Sequence, residues 1–245
     1  MCHSVQSRPP AAEGAVPAAS QAALELRAAD GTRVLAHEAR PASPTGIGVV
    51  VLPDVRGLHD YYRQLAVRFA EIGADSVAVD YFGRTAEDDD RSQTFEYAPH
   101  VQQTAPEGIA ADVAAGVAHL RERGATRIFT VGFCFGGGYS WRQSADSPGL
   151  AGCIGFYGRA ALASDAVARL QAPLLMLIAG ADANLPVADA EELAQAAATK
   201  VPVKFVVFDG APHSFFDRSF AEHDQDCDRA WAEMQTFLRQ PAGTA

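Results

Sequence analysis

The stretch RIFTVGFCFGGGYS, from Arg127 to Ser140, decides the fold of this chain. Its first residues are an apolar run typical of a buried strand, and the residues after Cys134 favour a helix. Between them, Gly132-Phe133-Cys134-Phe135-Gly136 has the spacing G-x-S-x-G of a nucleophile elbow, with Cys in the place of Ser. Positions 132 and 136 need small residues because side chains there would collide with neighbouring backbone.

This turn has chemical consequences for Cys134. It places the sulfur at the carboxyl edge of a sheet and near a helix N-terminus, whose dipole favours the thiolate over the thiol. The amide of Phe135 would point into the same pocket as an oxyanion donor. The alternative interpretation is a buried cysteine in a glycine-rich turn. A dinucleotide-binding loop is excluded, because the glycines do not match G-x-G-x-x-G.

Short apolar runs alternate with amphipathic segments along the rest of the chain. The pattern predicts a hairpin from Leu24–Leu26 and Arg33–Ala39 around the turn Asp30-Gly31. Further strands are predicted at 47–52, 76–79, 127–131, 151–156, 174–179 and 203–208, and helices at 61–72, 108–123, from about 135, 188–199 and 227–239. Asp60 is a candidate N-cap for the first helix, which Gly73 ends. The alternation indicates an α/β fold, a mainly parallel sheet with helices on both faces.

Composition excludes several classes of protein. The 245 residues carry 20 Lys and Arg against 30 Asp and Glu, a net charge of −10, with no basic cluster for nucleic acid or an anionic membrane. No apolar run reaches the ~18 residues of a membrane span. The four cysteines show neither CxxC nor zinc spacing, so no metal is expected, and no organic cofactor is implied. The N-terminus lacks a signal-peptide core, so we expect a cytoplasmic protein, with no indication of oligomeric state.

The chain is predicted to hold one domain, residues 21–245, after a flexible N-terminal arm of residues 1–20. The arm contains Cys2 and His3, which either do nothing specific or fold back onto a functional part. Residues 84–107 are polar, acidic and aperiodic, which is typical of a functional lid or of a disordered loop.

Two residues could complete a triad with Cys134. A triad built on such an elbow runs nucleophile, acid, base along the chain, each on a loop after a strand. Asp182 follows the strand predicted at 174–179, and His213 follows the one at 203–208. Asp182 could instead be a turn aspartate, with Asp189 as a competitor, and His213 a surface histidine. The order and placement together favour a Cys134–His213–Asp182 triad.

These residues resemble the dienelactone hydrolase family of α/β-hydrolases over most of residues 20–240. The resemblance lies in GFCFGG around Cys134, GAD at Asp182, PHSF at His213 and the run at 50–84. It implies the α/β-hydrolase fold and hydrolysis of an unsaturated lactone or related ester through a thioester on Cys134. His213 would then act as general base and later acid, oriented by Asp182.

The resemblance also concerns Asp54-Val55-Arg56-Gly57. The family has a glutamate here, in a pattern like E-x-F-G, that holds the resting cysteine. Asp54 is one methylene shorter and Arg56 replaces the aromatic residue, so Asp54 could hold the cysteine or could be an ordinary turn acid. The backbone at Val55 would supply the second oxyanion N–H.

A lactone of this family carries a carboxylate, which arginine binds well because its guanidinium is planar. The candidates are Arg218, five residues after His213, Arg84 and Arg91 in the long loop, and Arg56. Each could equally be a solvated surface arginine. Residues 54, 56, 84, 91 and 218 are therefore the predicted substrate-binding set.

Three functions fit this pattern. The first is a cysteine hydrolase of a small-molecule lactone or ester. The second is a thioesterase or acyl-transfer enzyme that uses the same nucleophile on another acyl donor. The third is a non-catalytic ligand-binding protein on a hydrolase scaffold, which has the least support because a pure binder does not need all three triad residues.

Overall fold

The computed structural model describes residues 6–92 and 95–240. Its strands are β1 (Ser20–Arg27), β2 (Arg33–Arg40), β3 (Ile47–Leu52), β4 (Asp75–Val79), β5 (Arg127–Phe133), β6 (Gly152–Phe156), β7 (Leu174–Ala179) and β8 (Val203–Phe208). They form one eight-stranded sheet in the order β1-β2-β4-β3-β5-β6-β7-β8. Strands β1 and β2 are antiparallel to their neighbours, and β4, β3 and β5 to β8 are parallel. The predicted mainly parallel sheet is confirmed.

Helices cover both faces of this sheet. They are α1 (Asp60–Glu71), α2 (Tyr97–Gln103), α3 (Pro106–Glu122), α4 (Phe135–Asp146), α5 (Val187–Ala198) and α6 (Asp224–Arg239). On one face α1 and α6 bury an apolar layer that includes Phe69 and Trp231. On the other face α3, α4 and α5 bury a second layer that includes Val113 and Leu193. No helix in the described part of the chain is long and apolar enough to cross a membrane.

The hairpin prediction is confirmed. Strands β1 and β2 pair from Ser20↔Arg40 to Arg27↔Arg33, and Gly31 in the turn has a φ of 87°, which a glycine adopts without strain.

The N-cap prediction for α1 is wrong. His59 is the cap, because its Nδ1 accepts a hydrogen bond from the Tyr61 N–H at 3.3 Å, and Asp60 is the first helical residue.

The long stretch 84–107 is more ordered than its composition indicates. It contains α2, whose seven residues are too few for a hydrophobic period to show in the sequence. Arg91 within it is buried, as described below. Gln93 and Thr94 lie outside the described residues. A lid function for this stretch stays a prediction.

Part of the segment predicted as a flexible arm, residues 7–12, packs against the rest of the domain. Ser7, Pro9, Pro10 and Ala12 are buried. The Trp231 indole N–H donates to the carbonyl of Pro10 at 3.1 Å, and the Val16 N–H donates to Glu71 at 2.9 Å. Ala and Pro add little hydrophobic pattern to a sequence, so this docking depends on tertiary contacts. Cys2 and His3 lie outside the described residues.

Candidate active site

The predicted site residues share one edge of the sheet. Cys134 directly follows β5, and Asp182 and His213 follow β7 and β8. Asp54 follows β3, the neighbour of β5 on its other side. Because the carboxyl ends of parallel strands meet at the same edge, these side chains come from adjacent loops.

Cys134 occupies a strained turn between β5 and α4. Its φ is 55° and its ψ is −112°, values that a residue with a side chain rarely adopts. Its N–H donates to the carbonyl of Phe156 at 3.0 Å, and its own carbonyl accepts from the N–H of Gly137 at 3.0 Å. Cys134 is half-buried, whereas Cys153 and Cys227 are buried. Among the described cysteines it is therefore the one that a substrate can reach.

The elbow glycines leave no room for a side chain. A Cβ on Gly132 would overlap the backbone of Gly136, and a Cβ on Gly136 would overlap the carbonyls of Leu52 and Pro53. The prediction that both positions need small residues is confirmed. The second overlap also shows that the end of β3 lies directly against the first turn of α4.

His213 and Asp182 form a hydrogen-bonded pair between Nδ1 and Oδ2. The Asp182 side chain is 1% exposed, and its other oxygen accepts from the N–H groups of Asn184 at 2.9 Å and Leu185 at 3.2 Å. A carboxylate that accepts from Nδ1–H fixes the imidazole tautomer, which makes Nε2 the basic nitrogen. Asp189, the competing acid, is exposed in the first turn of α5.

Tyr157 is a site residue that the sequence reasoning missed. It follows β6 with a φ of 35°, and its ring centroid lies 4.9 Å from that of His213 and 6.2 Å from that of Phe133. The ring thus packs between the loop of the histidine and the end of β5, directly before Cys134. The available signal was its position directly after a predicted buried strand.

Two backbone amides were predicted to stabilise an oxyanion. Phe135 is the first residue of α4, where a helical N–H has no acceptor within its own helix. Val55 lies in the turn after β3, which the Gly57 N–H closes by donating to Asp54 at 3.1 Å. Both residues flank the contact between the end of β3 and the elbow.

Asp54 and Arg56 form a bidentate ion pair. The Arg56 Nε lies 3.1 Å from Oδ1 and its Nη2 lies 3.0 Å from Oδ2 of the fully buried Asp54. The Arg56 backbone N–H donates to the same carboxylate at 2.9 Å. The arginine that replaces the aromatic residue therefore compensates the buried charge of Asp54.

Buried tyrosines surround this ion pair. Burial raises the pKa of Tyr62 and Tyr81 well above their ordinary value, and the negative charge of Asp54 adds to the effect. The Tyr81 hydroxyl donates to the carbonyl of Pro53. Both phenols therefore stay protonated at neutral pH, and Tyr81 acts as a donor beside the elbow.

Arg84 and Arg91 are held by carboxylates. Arg84 binds the buried Asp112 through Nε and Nη2 and binds Asp30 through Nη1 at 2.6 Å. Arg91 is 2% exposed and contacts Asp80 with Nε and Nη2, the latter at 3.0 Å. These contacts hold both guanidinium groups in ion pairs within the protein, and a substrate contact for either residue stays a prediction.

Two other arginines at this edge are exposed, Arg218 and Arg159. Arg218 was a sequence candidate and follows the histidine loop. Arg159 was not among the arginines predicted from the sequence. It lines a hollow together with Tyr157 and Asp182. Neither side chain takes part in an ion pair among residues 6–92 and 95–240.

The sequence profile of the Dienelactone hydrolase family matches residues 34–242. A protein of Methylorubrum extorquens, provisionally named as a carboxymethylenebutenolidase, is 28% identical over 227 residues, 84% of this chain and 76% of the relative. A protein of Saccharolobus solfataricus with the same provisional name is 24% identical and covers 86% of this chain and 95% of its own.

A similar solved structure comes from Klebsiella pneumoniae subsp. pneumoniae. This protein, provisionally named as a dienelactone hydrolase, is 25% identical, with a TM-score of 0.77. The superposition covers 91% of this chain and 100% of that one. The fold is also shared with an esterase from Pyrococcus furiosus, at a TM-score of 0.68 and 15% identity.

Proposed function

This chain belongs to the dienelactone hydrolase family of hydrolases, and we propose that it cleaves a small lactone or ester through a thioester on Cys134. The observation that carries the proposal is the His213–Asp182 pair, which lies at the same sheet edge as the strained elbow of Cys134. A paired imidazole beside an elbow nucleophile is the arrangement that acyl transfer requires.

The first half of the reaction forms the thioester. The Cys134 sulfur attacks the carbonyl carbon, and His213 holds the proton that the thiol gives up. The carbonyl oxygen becomes an oxyanion, which the N–H groups of Phe135 and Val55 stabilise; such a donor typically contributes about 10²–10³ in rate. The carbon–oxygen bond of the lactone then breaks, and the leaving oxygen takes the proton from His213 Nε2.

The second half releases the product. His213 takes a proton from a water molecule, whose oxygen attacks the thioester carbon. The carbon–sulfur bond breaks, the Cys134 sulfur takes the proton from His213, and the acid releases its own proton to solvent and leaves as a carboxylate. Asp182 stabilises the imidazolium in both halves without itself becoming protonated.

The ion pairs of the arginines reduce the number of residues that could bind a substrate carboxylate. Arg84 and Arg91 already satisfy carboxylates of the protein, and Arg56 satisfies Asp54. We therefore assign the binding of a substrate carboxylate to the exposed arginines at this edge, Arg159 and Arg218, whose guanidinium groups can donate hydrogen bonds to both oxygens of a planar carboxylate.

The deciding experiment screens small lactones and aryl esters with the wild type and the Cys134→Ala variant. We expect turnover in the wild type only, with iodoacetamide blocking it and mass spectrometry placing the label on Cys134. A parallel series of acyl-thioesters separates hydrolysis of lactones from thioesterase activity by relative kcat/KM. Hydrolysis retained by Cys134→Ala would refute the proposal.

A further inference from the structure

The N-terminal segment of residues 7–12, here called the strap, is bonded to the loop that carries His213. The Arg8 N–H donates to Asp217 Oδ1 at 3.0 Å, and the Arg218 N–H donates to the carbonyl of Arg8 at 3.1 Å. Both backbone groups of one strap residue thus bond to two consecutive residues that lie four and five positions after His213. The bonds depend on backbone geometry and not on the charge of the Arg8 side chain.

The loop between His213 and this contact is buried and held from several sides. Phe215, Phe216 and Asp217 are each 0% exposed. The Tyr61 hydroxyl of α1 donates to the carbonyl of Phe216, and the Cys227 thiol of α6 donates to that of Phe215 at 3.5 Å. Ser214, directly after the histidine, has a φ of 64°. A residue in this conformation keeps it only where its surroundings impose it.

The strap also closes the apolar layer beneath this loop. The Trp231 indole N–H donates to the carbonyl of Pro10 at 3.1 Å, and the Trp231 ring lies 5.6 Å from that of Phe216. One tryptophan therefore contacts both the strap and the histidine loop. Removal of the strap would uncover this ring and would take one donor from the buried carboxylate of Asp217.

We propose that the strap is a positioning element for His213. It fixes the far end of the histidine loop, and so it holds the imidazole at the distance from Cys134 that proton transfer needs. The inference rests on the proposed hydrolysis, since it assigns the strap an effect on that reaction. A displacement of about 1 Å at such a group can lower kcat as much as 10²-fold.

The sharpest test compares two substitutions of Arg8, because both remove the side chain and only one of them removes the backbone N–H. Arg8→Pro removes the N–H that donates to Asp217, and Arg8→Ala keeps it. We expect kcat of Arg8→Pro on an aryl ester to be about 3-fold to 10-fold below that of Arg8→Ala, with similar KM values. Active sites are counted as molecules that iodoacetamide labels at Cys134 but not at Cys153 or Cys227, because an unfolded chain exposes all three thiols. A lower folded fraction then does not lower the measured kcat.

Deletion of residues 1–12 removes the whole strap, so we expect it to lower kcat more than Arg8→Pro does. Deletion of residues 1–5, which leaves the strap in place, is its control. Hydrogen exchange followed by mass spectrometry should show faster exchange at 214–220 after the longer deletion, with the 132–138 elbow unchanged. If the longer deletion does not fold, the comparison of Arg8→Pro with Arg8→Ala still tests the positioning role of the strap.

The outcomes separate the two proposals. Equal kcat in Arg8→Pro and Arg8→Ala, or a uniform rise in exchange over the whole chain, would overturn the positioning role and leave the hydrolysis intact. Turnover retained by Cys134→Ala would overturn the proposed hydrolysis, and the effect of the strap on it would fall at the same time. The exchange measurement needs no substrate, so it reports the docking of the strap in either case.

Discussion

Replacement of Asp182 by Asn should disable His213 without disturbing the fold. In the protein, Oδ2 accepts from the histidine Nδ1, and Oδ1 accepts from the N–H groups of Asn184 and Leu185. Asparagine offers one oxygen and one NH₂ group. The two backbone donors require the oxygen, which turns the NH₂ group toward Nδ1. Nδ1 must then accept, so its proton moves to Nε2, the nitrogen that should act as the base.

The size of the effect follows from the alternative orientation of the amide. If the oxygen faces the histidine, the NH₂ group faces two backbone N–H groups, and each loses its acceptor at a cost of about 1–3 kcal/mol. The two losses together amount to roughly 2–6 kcal/mol, so the competent orientation is populated at about 4 × 10⁻² to 5 × 10⁻⁵. We therefore expect kcat to fall by roughly 30-fold to 2 × 10⁴-fold, with KM little changed.

The assay is kcat and KM on a small aryl ester at pH 7, normalised to the active sites labelled at Cys134. Asp189→Asn is the matched control, because Asp189 is exposed in the first turn of α5. It should retain the rate of the wild type within about twofold. A loss below tenfold in Asp182→Asn would refute the tautomer argument. An equal loss of kcat in Asp189→Asn would show that Asp189, and not Asp182, orients His213.

Further predictions concern the elbow, the loop arginine and the other thiols. Gly136→Ala places a Cβ against the carbonyls of Leu52 and Pro53, and should lower the free energy of unfolding in urea by at least about 1–3 kcal/mol; unchanged stability would contradict the overlap. Arg91→Met leaves the buried Asp80 without its cation and should cost about 3–5 kcal/mol in the same assay, while the ratio of kcat/KM between a carboxylate-bearing ester and its neutral methyl ester changes little. A collapse of that ratio with full stability would instead make Arg91 a substrate contact. Burial raises the pKa of the Cys153 and Cys227 thiols to about 12, so the thiolate fraction of each is about 10⁻⁵ at pH 7 and grows tenfold per pH unit up to that value. Iodoacetamide at pH 7 should therefore label neither of them in the folded protein, and peptide mapping that finds either one labelled as fast as Cys134 would disprove the selectivity.

Hydrophobic pattern predicted the fold well where strands are buried on both faces. Strands β3 and β7 begin and end where the sequence indicates, because an uninterrupted apolar run bounded by glycine and proline leaves little freedom of assignment. Helix α2 and the docked strap were missed for the opposite reason. Short segments rich in Ala, Pro and charged residues have no periodicity, and their burial depends on distant partners such as Trp231.

The sequence by itself determined the elbow and the order of the predicted triad. Both are local properties, since a strand, a turn without room for side chains and a helix must follow one another, and the other two residues must come after later parallel strands. The tertiary structure alone decided the partner of each charge. Arg84 and Arg91 are equivalent cations in a sequence, and only the fold shows that each faces a buried carboxylate, 28 and 11 positions away along the chain. The physical reason is separation along the sequence. Secondary-structure propensity and hydrophobic pattern act within about one helix or strand, whereas these ion pairs join residues that come together only after the chain has folded.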